Sequence, residues 1–512
     1  MLDAGGRLKY LFTSTKGLIL MAVALIGIVT AIWGTLSGPL AEIGVKEISV
    51  KLLGMDLMEG EREGRLIMLY HSIAMAVIAI LVYMITANLP MKKVYGAFIN
   101  ATVTAGYLIS LPSGLGFAYF GHNWTLHGLF IFGLSLIFFA GVMLAVAIWP
   151  WNKEYYLKKD SPYAHTASGF DLERLAFWTM TMATLGSAMI GAWSGSHFGK
   201  GFQVFLSEDT IRLPIKSAFN LAIIGHLHIM LALMGIAITL VLGRWYDFKG
   251  FWHKLAMPTM TFGTIVLTLG AWSVIYTDTA HSIIYVGSFF AMLAGLFLVI
   301  DSMPKIMRER LQSQGIEKAT FGQKLMALLH DPLKFGVLWQ MIYMNFTVSG
   351  VGIFMAIRLD EIFRIWPHRE ERIELAGHWH ILSAIIATLI LFYFADRMGL
   401  KGKIRQWFGW IIIIGSDLAF AAITIFEMKR LFASGYMQQP IVNTTMLLAD
   451  IGLGAVIVLL AAFLTWRLID LFKSRGLWKR EVAEEGFPVT TFLCSRDSTV
   501  AVESSPNEGV SQ

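Results

Sequence analysis

Long apolar stretches separated by short polar turns occupy almost the whole chain. Twelve reach bilayer length, at about 18–38, 66–87, 96–117, 127–149, 175–195, 218–242, 255–276, 281–300, 335–357, 377–395, 407–427 and 445–466. A helix needs about 20 apolar residues to cross the hydrocarbon, so the pattern predicts an all-α polytopic membrane protein of about twelve transmembrane helices. Two polar stretches interrupt or end it. Residues 302–334 are basic and partly amphipathic, which predicts a helix lying on the inner membrane surface. Beyond about Arg480 the chain turns polar and Ser-rich, which predicts a disordered tail over 481–512 after a single transmembrane domain.

Composition agrees with this class. The 512 residues are 56% hydrophobic and 15% charged, with a mean hydropathy of +0.62, far from a soluble balance. No small-residue cleavage site follows a short apolar core near the start, so the first run is read as a span and not as a signal peptide. The single Cys494 excludes an internal disulfide and multi-cysteine metal sites. The formal charge of +6 comes from residues flanking the spans and carries no signal for nucleic acid. With the N-terminus inside, most of the 41 Lys and Arg fall on the inner side, so both termini are expected in the cytoplasm.

The histidines divide the other way. His71, His122, His127, His197, His226, His228, His281, His368, His378 and His380 fall near the outer face, and only His165, His253 and His330 on the inner one. They also repeat. His71 on the second run, His226 on the sixth and His378 on the tenth are roughly 150 residues apart, as are His127 and His281, which predicts three four-helix units over about 18–149, 175–300 and 335–466. The sixth run opens Gly225-His226-Leu227-His228-Ile229 and the tenth Gly377-His378-Trp379-His380-Ile381. Residues i and i+2 on a helix differ by roughly 200°, so each doublet serves two flanks and cannot close on one ion. A buried imidazole in hydrocarbon is costly unless it is bonded or ligating.

Three four-helix arcs with histidines on the second, sixth and tenth helices resemble the catalytic subunit of the haem–copper oxidase superfamily, over about residues 15–470. The G-H-x-H wording is most similar to the C-type oxidases and nitric oxide reductases. The resemblance implies a pseudo-threefold bundle in a prokaryotic cytoplasmic membrane and two haems of the b type. It implies that His71 and His380 share a low-spin haem, and that His378 holds a second haem where oxygen or nitric oxide is reduced. His226 matches a ligand of the distal copper or iron. Lys429 and Arg430 match a basic pair facing haem propionates. The family's adjacent histidines on the seventh helix are missing, since that run reads Leu269-Gly270-Ala271-Trp272-Ser273-Val274-Ile275-Tyr276. His281 and His228 are the remaining candidates for such a metal, which is expected to be absent or altered.

Tyr276 is a candidate redox-active or hydrogen-bonding tyrosine, weighed against an interface anchor. Asp417, mid-run, is a candidate proton-path group. The hydroxyls of Thr264, Thr268 and Ser273 are set against ordinary bonding back to the helix. The expected function is a respiratory oxidoreductase that passes electrons through the low-spin haem to a small acceptor. An electron-transfer cytochrome without the distal metal is the alternative, and a metal or proton transporter the third reading. No C-x-x-C-H motif occurs, so a separate membrane or cytochrome c-type subunit is expected to deliver electrons.

Overall fold

The computed structural model describes residues 4–34, 36, 44–57, 62–195, 218–358, 361, 368–473 and 475–485. All regular structure among them is helical. Among the described residues, twelve helices are long and apolar enough to cross a membrane: Thr15–Trp33, Ile67–Asn88, Lys93–Tyr119, Trp124–Ala147, Leu172–Trp193, Leu221–Trp245, Phe251–Ser273, Ala280–Ser313, Pro332–Met355, His380–Arg397, Gly402–Glu427 and Gly435–Phe472. The protein is an all-α, multi-pass membrane protein.

Several spans begin where a side chain accepts the first free backbone N–H groups. Ser14 accepts from Gly17 at 3.0 Å. Asn123 accepts from Thr125 and Leu126 at 2.8 and 3.1 Å, and Asp171 from Glu173 and Arg174 at 3.0 Å each. Asp331 caps the ninth span, with Pro332 in its first turn.

The three-unit repeat read from the histidines reappears in the packing. In every unit the third and fourth spans form the most extensive pairing, as do spans three and four, seven and eight, and eleven and twelve. Each pair crosses at two glycines. A methyl group built on Gly106 would lie 2.8 Å from the Gly133 carbonyl oxygen, on Gly263 3.0 Å from that of Gly287, and on Gly415 2.8 Å from that of Gly452. Lipid gives apolar helices no hydrophobic reason to associate, so close backbone approach at small residues is what holds them. The histidine-bearing second spans of the units meet in the middle, where the sixth packs on both the second and the tenth. Ala79, Ile236, Ile385 and Leu389 are among the buried residues of this shared core.

Two polar stretches differ from expectation. Residues 302–334 do not form one surface helix. The eighth span's helix continues to Ser313 and stops at Gly315, whose φ of +69° suits glycine. A separate helix, Phe321–Leu329, then starts on a Thr320–Gln323 capping box and leaves Phe321 and Met326 exposed. At the C-terminus, Leu477–Glu485 is helical. Glu481 within it takes a hydrogen bond from the buried Arg467 at 2.5 Å, and Arg467 also bonds Tyr10 Oη at 2.7 Å. A buried guanidinium needs a counter-charge, which fastens this part of the tail to the bundle. The rest of the expected tail lies outside the described residues.

Candidate functional site: the far-end histidines

Counted along the spans, His71, His226, His281 and His380 lie towards the end of the bundle opposite the N-terminal helix. His71 and His226 face each other there. Their ring planes are within 10° of parallel and their centres are 6.4 Å apart. Each ring is held by its Nδ1. The His71 Nδ1 lies 3.0 Å from the carbonyl of Ile67, one turn earlier on its own helix. The His226 Nδ1 lies 2.9 Å from the carbonyl of Ser187 on the fifth span. A carbonyl can only accept, so both rings carry their proton at Nδ1 and keep a lone pair at Nε2.

The fifth span is shaped for this. Gly191 has no side chain where one would collide: a Cβ there would stand 2.4 Å from His226 Cε1 and 2.7 Å from its Nε2. One turn earlier, Ser187 is fully buried and its hydroxyl accepts the indole N–H of Trp272 at 3.1 Å. Trp272 lies over Gly186, where a Cβ would be 2.5 Å from the indole. The seventh span therefore brings to this region a tryptophan, hydrogen-bonded to the residue whose carbonyl orients His226.

The remaining candidates are dispersed. His380 lies with its ring centre 5.5 Å from that of Tyr70, and its Nε2 is hydrogen-bonded to the Tyr70 hydroxyl. The side chain of His378 lies outside the described residues, although its backbone belongs to the helix His368–Arg397. His228 is exposed while His226 is half-buried, the divergence that two positions of helix rotation require. His281 is exposed in the first turn of the eighth span. Tyr276 is 85% exposed, the setting of an interface anchor. Lys429 is buried, with its ammonium 4.5 Å above the Phe426 ring centre, and Arg430 is half-buried. Among the described residues no three His, Cys, Asp or Glu side chains converge on one point.

Two of the three hydroxyls bond back to their own helix, Thr264 to Met260 O at 2.7 Å and Ser273 to Gly270 O at 2.9 Å. Thr268 is buried without a hydrogen bond to any described residue. Asp417 accepts the Trp339 indole N–H at 2.7 Å and the Gln340 amide at 3.3 Å, which ties the ninth and eleventh spans together.

A second histidine pair, not anticipated from the sequence, lies at the N-terminal end of the bundle. His165 Nε2 and His253 Nδ1 are 2.6 Å apart. The other His253 nitrogen is 3.7 Å from Glu173, which pairs with Arg244 at 2.8 Å. Tyr163 donates to Asp247, and Lys305 reaches the Tyr246 and Asp247 carbonyls at 2.7 and 2.9 Å. Burial lowers the His165 pKa, helped by His253 and Lys254 and opposed by Glu173. Burial would raise Asp247, but hydrogen bonds from Lys249, Tyr163 and Lys305 win and hold it at about 2. Tyr163 is pushed up to about 12 by burial and by the Asp247 carboxylate. In the turn beside the pair, Asp247 has a positive φ, a conformation that Asp tolerates.

The donor set at the far end fits a haem iron. A haem supplies its own four nitrogens and asks the protein for two axial ligands, and two imidazoles with anchored Nδ1 and open Nε2 are such ligands. No family model, no curated protein and no solved structure matches the chain.

Proposed function

We propose that the protein is a membrane haem oxidoreductase of the haem–copper oxidase type, reducing a small acceptor with oxygen the first candidate and nitric oxide the second. The observation that supports this reading most is the facing pair His71 and His226, both carbonyl-anchored at Nδ1. Bound haem would supply one-electron transfer and a site at which a small acceptor could be reduced. The chain's own residues do the rest. Ile67 and Ser187 fix the tautomer of two imidazoles, and Gly191 lets one ring lie against the fifth span. His378, on the central tenth span, would hold the second haem, with Lys429 and Arg430 facing propionates. Electrons would come from a partner subunit on the outer side, with both termini in the cytoplasm as the basic residues suggest.

Trp272 favours a second reading, an electron-transfer cytochrome without a distal metal. Its indole fills the seat over Gly186, on the span where the family carries its histidine pair. An optical spectrum of the purified protein separates the readings. High-spin haem that binds carbon monoxide is expected for the reductase, and low-spin haem alone for the carrier. Absence of any Soret band would sink both and leave the transporter.

A further inference from the structure

We infer that His226 is the second axial ligand of the low-spin haem, opposite His71. This deepens the haem reading above and rests on it. It departs from the assignment that the sequence resemblance suggests, which pairs His71 with His380 and gives His226 to a distal metal.

The geometry favours the new pairing in three ways. First is the spacing. With a metal–imidazole nitrogen distance of about 2.0–2.1 Å, two imidazoles on opposite sides of one ion stand roughly 6 Å apart, centre to centre. His71 and His226 stand 6.4 Å apart with nearly parallel planes, whereas rings in hydrogen-bond contact come closer, as His165 and His253 do at 4.9 Å.

The second is the state of the nitrogens. His71 and His226 direct Nδ1 at a carbonyl, the outer bond that orients a metal-ligating histidine and raises its basicity. In His380, by contrast, Nε2 is engaged by the Tyr70 hydroxyl. The third is ligand number. A bare zinc or copper ion asks for three or four donors, and no third metal-ligating side chain joins the pair among the described residues. A haem iron asks for two.

The pairing also gives Gly191 and Ser187 a purpose. Ser187 fixes the His226 ring by its carbonyl, and Gly191 leaves the room that the ring occupies. Both are positioning residues.

The test compares His226→Ala and His380→Ala in the full chain, purified in detergent, by the reduced optical spectrum and the spin state of the oxidised haem. Only preparations that elute as the wild type does are scored. Loss of the low-spin band in His226→Ala, with the band kept in His380→Ala, is the expected result. Loss in His380→Ala, alone or together with His226→Ala, overturns the pairing but leaves the haem reading standing. Where His226→Ala does not assemble, His226→Met replaces it. A methionine axial ligand raises the haem potential, so the low-spin midpoint should move positive in His226→Met and stay put in His380→Met. An unmoved midpoint in His226→Met overturns the pairing. So does stoichiometric copper that disappears with His226. A wild-type protein without haem defeats the parent reading, and the pairing with it.

Discussion

Two histidine pairs sit near opposite ends of this bundle, and they differ in one respect that decides their chemistry. At the N-terminal end, His165 and His253 touch nitrogen to nitrogen at 2.6 Å, and Glu173, Arg244 and neighbouring groups surround them with charge. At the far end, His71 and His226 turn one nitrogen each to a carbonyl and leave their rings 6.4 Å apart. The first pair spends one nitrogen of each ring on the other, and the second His253 nitrogen lies 3.7 Å from the Glu173 carboxylate. The second keeps two lone pairs for something else. A histidine pair in a membrane is thus read by where the second nitrogen goes, not by proximity alone.

The largest effect that would sharpen this contrast is spectroscopic. His71→Ala should abolish the low-spin haem band, while His253→Gln should leave it intact and lower only thermal stability. A surviving band in His71→Ala would remove the distinction between the pairs. Next in size is the ion pair that supports the near pair. Glu173→Gln leaves Arg244 without its carboxylate in a largely buried setting, at a cost of up to about 3 kcal/mol. The melting temperature of the solubilised protein should fall with the haem spectrum unchanged. A spectral change of similar size would mean that the two ends are coupled.

Gly191→Ala should act in the opposite sense. The added methyl would meet the His226 ring, so haem retention and the low-spin band should drop in part while the fold persists. Gly454→Ala, with nothing within 4 Å of its Cβ, serves as the control. Equal spectra in the two variants would show that the His226 ring position is not needed.

The smallest expected effect is a pH dependence at the near end. The His165 pKa is lowered by burial, and further by His253 and Lys254. The unfolded chain, with a His pKa of about 6.5, therefore binds a proton more readily than the native one. Stability from this group is full above that pH and declines as pH falls below it. The thermal midpoint should decrease slightly between about pH 7.5 and pH 5.5, and His165→Gln should flatten the slope. A slope that His165→Gln leaves unchanged would assign it to other groups.

Much of the architecture was legible in the sequence because a membrane span is a local property. A run of apolar residues long enough for the hydrocarbon declares itself without knowledge of its neighbours, and the twelve spans lie close to where the runs predicted them. The three-unit repeat was equally legible, since the spacing of His71, His226 and His378 parallels the glycine crossings at Gly106, Gly263 and Gly415. The divergence of His226 and His228 followed from helix rotation alone.

What only the tertiary structure decided is who meets whom. His71 and His226 are brought face to face by the packing of the second span on the sixth, and the carbonyl that orients His226 belongs to the fifth. Trp272 reaches Ser187 from the seventh. His165 and His253 meet across a loop and a span end, and the helix that carries Glu481 is pinned by a buried arginine fourteen positions earlier. None of these follows from periodicity. Each depends on the rotation of a whole helix about its axis, where one residue is roughly 100°, and that rotation is set by interhelical packing between segments far apart in the chain.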